Sequence, residues 1–195
     1  MCALALCAAA SPAATILVYG DSLSAGYGLQ PGQGWVNLLA KRLQTEKLDY
    51  KVANASISGE TTHGGAKRIE AVLKTHRPAI IIVELGANDG LRGGSPDTMR
   101  ANLETIVDAS LRAKARVLLV AMRMPPNYGT AYAEKFRQVF GDIAKRKKLP
   151  PAPFLLDGFA ENREYFQADG IHPSAEAQPA MLETVWKGLR LLLKK

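Results

Sequence analysis

The sequence predicts one α/β domain of three layers, a flavodoxin-like, five-stranded parallel sheet with helices on both faces. Short apolar, β-rich runs alternate with longer stretches of helical period, the order that builds crossover-connected parallel strands. Several runs are continuously apolar, as strands buried on both faces are. Glycines and small polar residues follow the runs, which places them together at the carboxyl edge of the sheet, where such folds bind ligands. At 195 residues and 47% hydrophobic, the chain suits a single domain with a substantial core.

The N-terminal "MCALALCAAASPAA" is a short apolar run ending in small residues, the pattern of a secretory signal peptide and its cleavage site. Residues 1–14 are therefore expected to be a signal remnant lacking its basic leader, and residues 15–195 the folded domain of an exported, periplasmic protein. Both cysteines, Cys2 and Cys7, fall in the remnant, so the mature chain would have no thiol. Bulky Leu6 argues against a lipoprotein signal.

Five runs read as strands: "TILVYG" (15–20), "YKVANA" (50–55), "AIIIVELG" (79–86), "RVLLVAM" (116–122) and "PFLLDG" (153–158). Between them, Trp35, Leu38, Leu39 and Leu43 recur at helical spacing, as do Ile69, Val72 and Leu73. Ser95-Pro96 opens a further helix with an N-cap and a first-turn proline, its core face carrying Leu103, Ile106, Val107 and Leu111. A fourth helix is expected from about Thr130 to Lys148, and the last from about Gln178.

The loops carry the chemistry. Gly20-Asp21-Ser22 follows the first strand, Ser56-Ile57-Ser58-Gly59 the second, Gly86-Ala87-Asn88-Asp89-Gly90 the third, and Asp169-Gly170-Ile171-His172-Pro173 the fifth. A serine needs a base within hydrogen-bond reach, itself oriented by a third group. Asp169 and His172, three residues apart, can meet within one turn, leaving the second imidazole nitrogen for the Ser22 proton. Acyl transfer also needs donors for the developing oxyanion, each typically worth ~3 to 4 kcal/mol. The amides of Ser22 and Gly59 and the side chain of Asn88 could supply them. Asp21 is read as bracing the turn. Glu84 and Arg123, near the ends of adjacent strands, either shape the substrate site or form an ion pair. Leu91, Tyr128 and Phe166 are the candidate substrate-binding side chains, with Phe159 and Tyr165 as further walls.

In order, "GDSLSAGYG", "NASISGET", "ELGANDGLRG" and "DGIHP" resemble the sequence blocks of the SGNH, or GDSL, hydrolases. "PPNYG" (125–129) and "AQP" (177–179) resemble its bacterial exported group of multifunctional acyl-CoA thioesterases, lysophospholipases and arylesterases. The resemblance spans nearly everything from Thr15 onward. It implies the SGNH hydrolase fold, Ser22 as nucleophile, Gly59 and Asn88 in the oxyanion hole, and Asp169 with His172 completing the triad. It implies no cofactor and no metal, with acyl esters or thioesters as substrates.

Two other functions use the same residues. A metal-dependent phosphoesterase would recruit Asp21, Asp89, Asp169 and His172 as ligands. A flavodoxin-like phosphate- or nucleotide-binding module would use Ser22 and the loop from Ser56 to Thr62, leaving Asp169 and His172 idle. With a net charge of +7, the obvious basic patches are "KRKK" (145–148) and the terminal "LLLKK". No aromatic residues are interleaved there, so these runs read as solvated helix ends rather than a nucleic-acid surface. Expected partners are therefore a small-molecule substrate, no nucleic acid and at most peripheral membrane contact, with the chain a monomer.

Overall fold

The computed structural model describes residues 13–193. The signal-like segment, both cysteines and the two terminal lysines lie outside them, apart from Pro12's successors Ala13 and Ala14. Four parallel strands, β1 (Ala14–Gly20), β2 (Tyr50–Asn54), β3 (Ile80–Glu84) and β4 (Arg116–Leu119), form a sheet in the order β2-β1-β3-β4. Residues 16–19 of β1 and 80–83 of β3 are wholly buried, which is why these runs show no polar alternation.

Helices α1 (Ser22–Ala25), α2 (Trp35–Thr45), α3 (Thr62–His76), α4 (Ala87–Leu91), α5 (Pro96–Arg112), α6 (Thr130–Arg146) and α7 (Gln178–Leu189) complete the described fold, with three short 3-10 turns. Helix α2 packs with α7, whereas α3, α5 and α6 pack as a second group. The chain first winds outward from β1 to β2, then returns past β1 to β3. The two central strands therefore diverge in connection at their carboxyl ends, the position where doubly wound sheets open a crevice.

The expected fifth strand is reduced to one rung. Ala121 pairs with Phe154 in a parallel bridge, its amide donating to Pro153 O at 2.7 Å and its carbonyl accepting from Leu155 N at 3.1 Å. Pro150, Pro151 and Pro153 carry no amide hydrogen, so this segment cannot sustain a ladder. Beyond Leu155 the chain turns at once, with Asp157 N donating to Phe154 O at 3.0 Å. The apolar character of the run has another cause: Leu155 is fully buried in the core.

The α5 helix starts at Pro96 as expected, but the Ser95 side chain makes no capping bond. Leu103, Ile106 and Val107 are buried, whereas Leu111 is 39% exposed near the helix end. The basic run at 145–148 is the carboxyl end of α6. There Arg146 pairs with Glu104 and Lys147 with Asp108, so part of its charge is answered by α5. No helix among the described residues is long and apolar enough to cross a membrane.

Candidate active site

Strand β1 ends in Gly20, and Ser22 opens α1 immediately afterwards. Asp21 is the N-cap: its Oδ1 accepts from Leu23 N at 3.0 Å and fixes the turn, as the sequence suggests. A Cβ at Gly20 would come within 2.9 Å of the Glu84 backbone carbonyl as well as 2.7 Å of Glu84 Oε2, so the close approach of the two strand ends requires glycine. The turn therefore seats Ser22 close over the end of β3.

Ser22 Oγ lies 3.0 Å from His172 Nε2, and His172 Nδ1 lies 2.7 Å from Asp169 Oδ2. Asp169 Oδ1 also accepts the backbone amides of Ile171 at 2.9 Å and His172 at 3.0 Å. These bonds, led by the His172 amide, pull the Asp169 carboxyl down to about 2. The carboxylate thus holds the imidazole with Nδ1 as donor, leaving Nε2 to accept from the serine hydroxyl. The imidazole side chain is 18% exposed.

Asn88 sits in the first turn of α4, and its Nδ2 donates to Asp21 Oδ2 and to Glu60 O, both at 3.0 Å. Glu60 is itself anchored by Arg68, whose Nε reaches its carboxylate at 2.7 Å. Gly59, with φ of 79°, occupies left-handed space, and its carbonyl accepts from Arg92 Nη2 at 3.1 Å. Among the described residues, the backbone amides of Ser22 and Gly59 donate to no protein acceptor.

Several contributors had no signal in the sequence pattern. The Tyr27 ring packs on the His172 ring at 4.4 Å between centroids, tilted by 35°. Gln167 ties both sides of the histidine loop, its Nε2 donating to Tyr27 O at 2.8 Å and Pro173 O at 3.1 Å. Only long-range loop packing brings them to the site. Gln178 joins the Trp35 amide to the Ser174 carbonyl, fixing α7 beneath the same loop.

Other candidates sort differently. Asp89 receives Thr62 N at 2.8 Å and Thr62 Oγ1 at 2.5 Å, capping α3 instead of joining Asp169. Among the described residues, no three His, Cys, Asp or Glu side chains converge as a metal site would require. Glu84 and Arg123 do not pair: Glu84 is buried against Asp21 and Ser24, and Arg123 lies over the Phe154 ring at 4.3 Å. Leu91 is 37% exposed at the end of α4, and Tyr128 Oη donates to its carbonyl at 3.3 Å. Phe166 packs against Phe159 and bridges to Pro173, next to the histidine. The triad opens onto a shallow depression lined by Leu23, Tyr27, Leu29 and Pro173. A larger open cleft of about 520 Å³ lies apart, around Arg123, Phe154, Asp157 and Phe159.

A hydroxyl hydrogen-bonded to an imidazole, and the imidazole to a carboxylate, at the carboxyl edge of a parallel α/β sheet define the class of a serine hydrolase. The chain belongs to the GDSL-like Lipase/Acylhydrolase family, whose sequence profile matches residues 18–179. It is 47% identical over 191 residues to Esterase TesA of Pseudomonas aeruginosa, covering 98% of this chain and 95% of that protein. It is 40% identical over 184 residues to Thioesterase 1/protease 1/lysophospholipase L1 of Escherichia coli K12, covering 94% and 87%. The crystal structure of TesA superposes with a TM-score of 0.89 at 48% identity, over 92% of this chain and 99% of that one.

Proposed function

We propose that this chain hydrolyses carboxylic esters and thioesters, including aryl esters, acyl-CoA and lysophospholipids, through a Ser22-His172-Asp169 triad and an acyl-enzyme intermediate. The observation that carries the reading is the unbroken relay from Ser22 Oγ through His172 to Asp169, at 3.0 and 2.7 Å. Relatives named as an esterase and as a thioesterase and lysophospholipase support the substrate classes.

In the first half-reaction Ser22 Oγ attacks the acyl carbonyl carbon as His172 Nε2 takes its proton. The tetrahedral oxyanion is held by the Ser22 and Gly59 amides and by Asn88. Both Asn88 amide hydrogens already have acceptors. The one on the neutral Glu60 carbonyl is the one an oxyanion captures, because an anionic acceptor makes the stronger, charge-assisted bond. The hydrogen on Asp21 keeps the amide oriented. The imidazolium then gives its proton to the departing alkoxide or thiolate. Water, deprotonated by the same nitrogen, cleaves the acyl-serine and restores the triad.

Leu91, Tyr128 and Phe166 form the acyl-contacting wall on this reading. Residues 15–195 act as one monomeric hydrolase domain, and residues 1–14 belong to a signal that exports it to the periplasm, with no more than peripheral membrane contact. The reading is tested with p-nitrophenyl esters of graded chain length beside acyl-CoA and lysophospholipid, for wild type and Ser22→Ala. Hydrolysis of esters and thioesters by wild type alone is expected. Equal rates for the two proteins would refute it.

A further inference from the structure

Beneath the nucleophile lies a second acid that the triad mechanism does not use. Glu84, the last residue of β3, stands in register opposite Gly20 and is wholly buried, as is Asp21. Glu84 Oε2 accepts from Ser24 Oγ at 2.7 Å and receives a long contact from Asp21 N at 3.5 Å. Glu84 Oε1 is buried and has no hydrogen-bond partner among the described residues. The Asp21 and Glu84 carboxyls are therefore buried neighbours, joined by that contact between the Asp21 amide and Glu84 Oε2.

These facts fit together in one protonation state. Two adjacent buried carboxyls repel strongly if both ionise, which favours one shared proton. Asp21 is the better site for the charge: it receives the Leu23 amide and the Asn88 side-chain amide, and it feels His172. Glu84 has only the Ser24 hydroxyl and that distant amide. No lysine or arginine forms an ion pair with either group among the described residues. A proton on Oε1 also gives that orphaned atom a role, as donor to the Asp21 carboxylate. Burial and the neighbouring Asp21 charge both push the Glu84 carboxyl well above its usual range.

We propose that Glu84 is a positioning residue, held as the un-ionised acid, whose hydroxyl donates to Asp21 and thereby fixes the carboxylate that orients Asn88 and braces the Ser22 turn. The inference rests on the assignment of Asn88 to the oxyanion hole. The shared proton matters for catalysis as well as order. It limits the pair to one negative charge beneath a site where another develops, and two would oppose the oxyanion.

The test pairs spectroscopy with kinetics. The infrared difference spectrum between wild type and Glu84→Gln, taken near pH 8 with 13C-labelled glutamate, should contain the carbonyl band of an un-ionised carboxylic acid. Glutamine keeps a neutral donor for Asp21 and an acceptor for Ser24, so Glu84→Gln should retain kcat within about fivefold. Glu84→Leu removes both functions and should lower kcat by roughly thirtyfold or more with KM within about twofold, as expected for a loss felt in the transition state. Absence of the acid band, or equal losses of kcat for Gln and Leu in folded proteins, would overturn the proposal. The band does not depend on turnover. Retained activity in Ser22→Ala, measured in parallel, would instead remove the triad reading and leave the band standing.

Discussion

The relay and the proposed oxyanion hole have different chemical jobs, and separate substitutions distinguish them. Asp169 fixes the imidazole tautomer. In Asp169→Asn the amide can donate to Nδ1, which turns Nε2 into the protonated nitrogen and removes the acceptor that Ser22 needs. A kcat loss of roughly ten-thousandfold is expected, the scale known for that change in a serine protease. On the proposed assignment Asn88 meets charge that exists only in the transition state, so Asn88→Ala should cost about a hundredfold or more in kcat with little change in KM. A change confined to KM, measured by steady-state ester hydrolysis, would contradict that role. The pH dependence of Asp169 has a definite sign. Its carboxyl is depressed to about 2 by the amides and imidazole of its own loop, so its hold on the loop is complete above the ordinary carboxylate range and is lost as pH falls through about 2. Loss of activity at milder acidity therefore belongs to other groups, and a 13C titration of the Asp169 carboxyl should show no midpoint above about 3. At this scale the sequence is informative where chemistry is local: Asp169 and His172 lie three residues apart and meet within one turn. Tyr27 and Gln167 reach the histidine only through packing between distant loops, and no spacing announces them.

Elements act on the site through their carboxyl ends. Because β1 and β3 are neighbours, their last residues stand side by side, and the carboxyls of Asp21 and Glu84 are buried together. Burial raises Asp21 to about 6 and Glu84 further. A carboxyl raised in the folded state favours folding below its unfolded value, and that contribution is lost as pH rises through the folded value. Urea midpoints of wild type should therefore carry a downward term between about pH 5 and pH 8, and Glu84→Gln should make that decline shallower. An unchanged slope would show that the pair does not titrate in this way. The α4 end makes a separate prediction. Tyr128 and Tyr132 hold it from outside through the carbonyls of Leu91 and Gly94, while the Leu91 side chain is 37% exposed. If Leu91 touches the acyl chain, Leu91→Ser should shift the ratio of kcat/KM between long and short esters several-fold, since each contacting methylene is worth about 0.8 kcal/mol. Parallel chain-length profiles would show that Leu91 does not read the chain. Gly94→Ala is a poorer probe, because the new Cβ would stand 2.9 Å from Asp89 O. Strand legibility follows the same logic. Continuous burial marks β1 and β3 plainly, while the proline-interrupted run at 153–158 has the apolar content of a strand without the amides to make one.

The whole molecule supplies rigidity. Ile82 lies in the middle of β3, fully buried in a core that joins both helical groups to the sheet. Ile82→Ala should cost about 2 to 5 kcal/mol in urea unfolding, with kcat per folded molecule little changed, because the cavity lies away from the reacting groups. The core and the five longer helices were readable because their periods are regular: α6, expected from about Thr130 to Lys148, runs over Thr130–Arg146, whereas the short α1 and α4 lie in segments that read as turns. The exception is Leu111, one residue before the end of α5, which is exposed although it continues the apolar stripe. All of this architecture serves to hold one hydroxyl against one imidazole, and covalent trapping tests that claim most directly. An alkyl fluorophosphonate should add one phosphonyl group per chain of wild-type protein, seen by intact mass, with peptide mapping placing it on Ser22. Ser22→Ala should take up none and keep no more than about a thousandth of wild-type kcat, a ceiling well above what binding and an oxyanion hole alone provide. Labelling at another residue, or an active and unlabelled wild-type enzyme, would contradict the account.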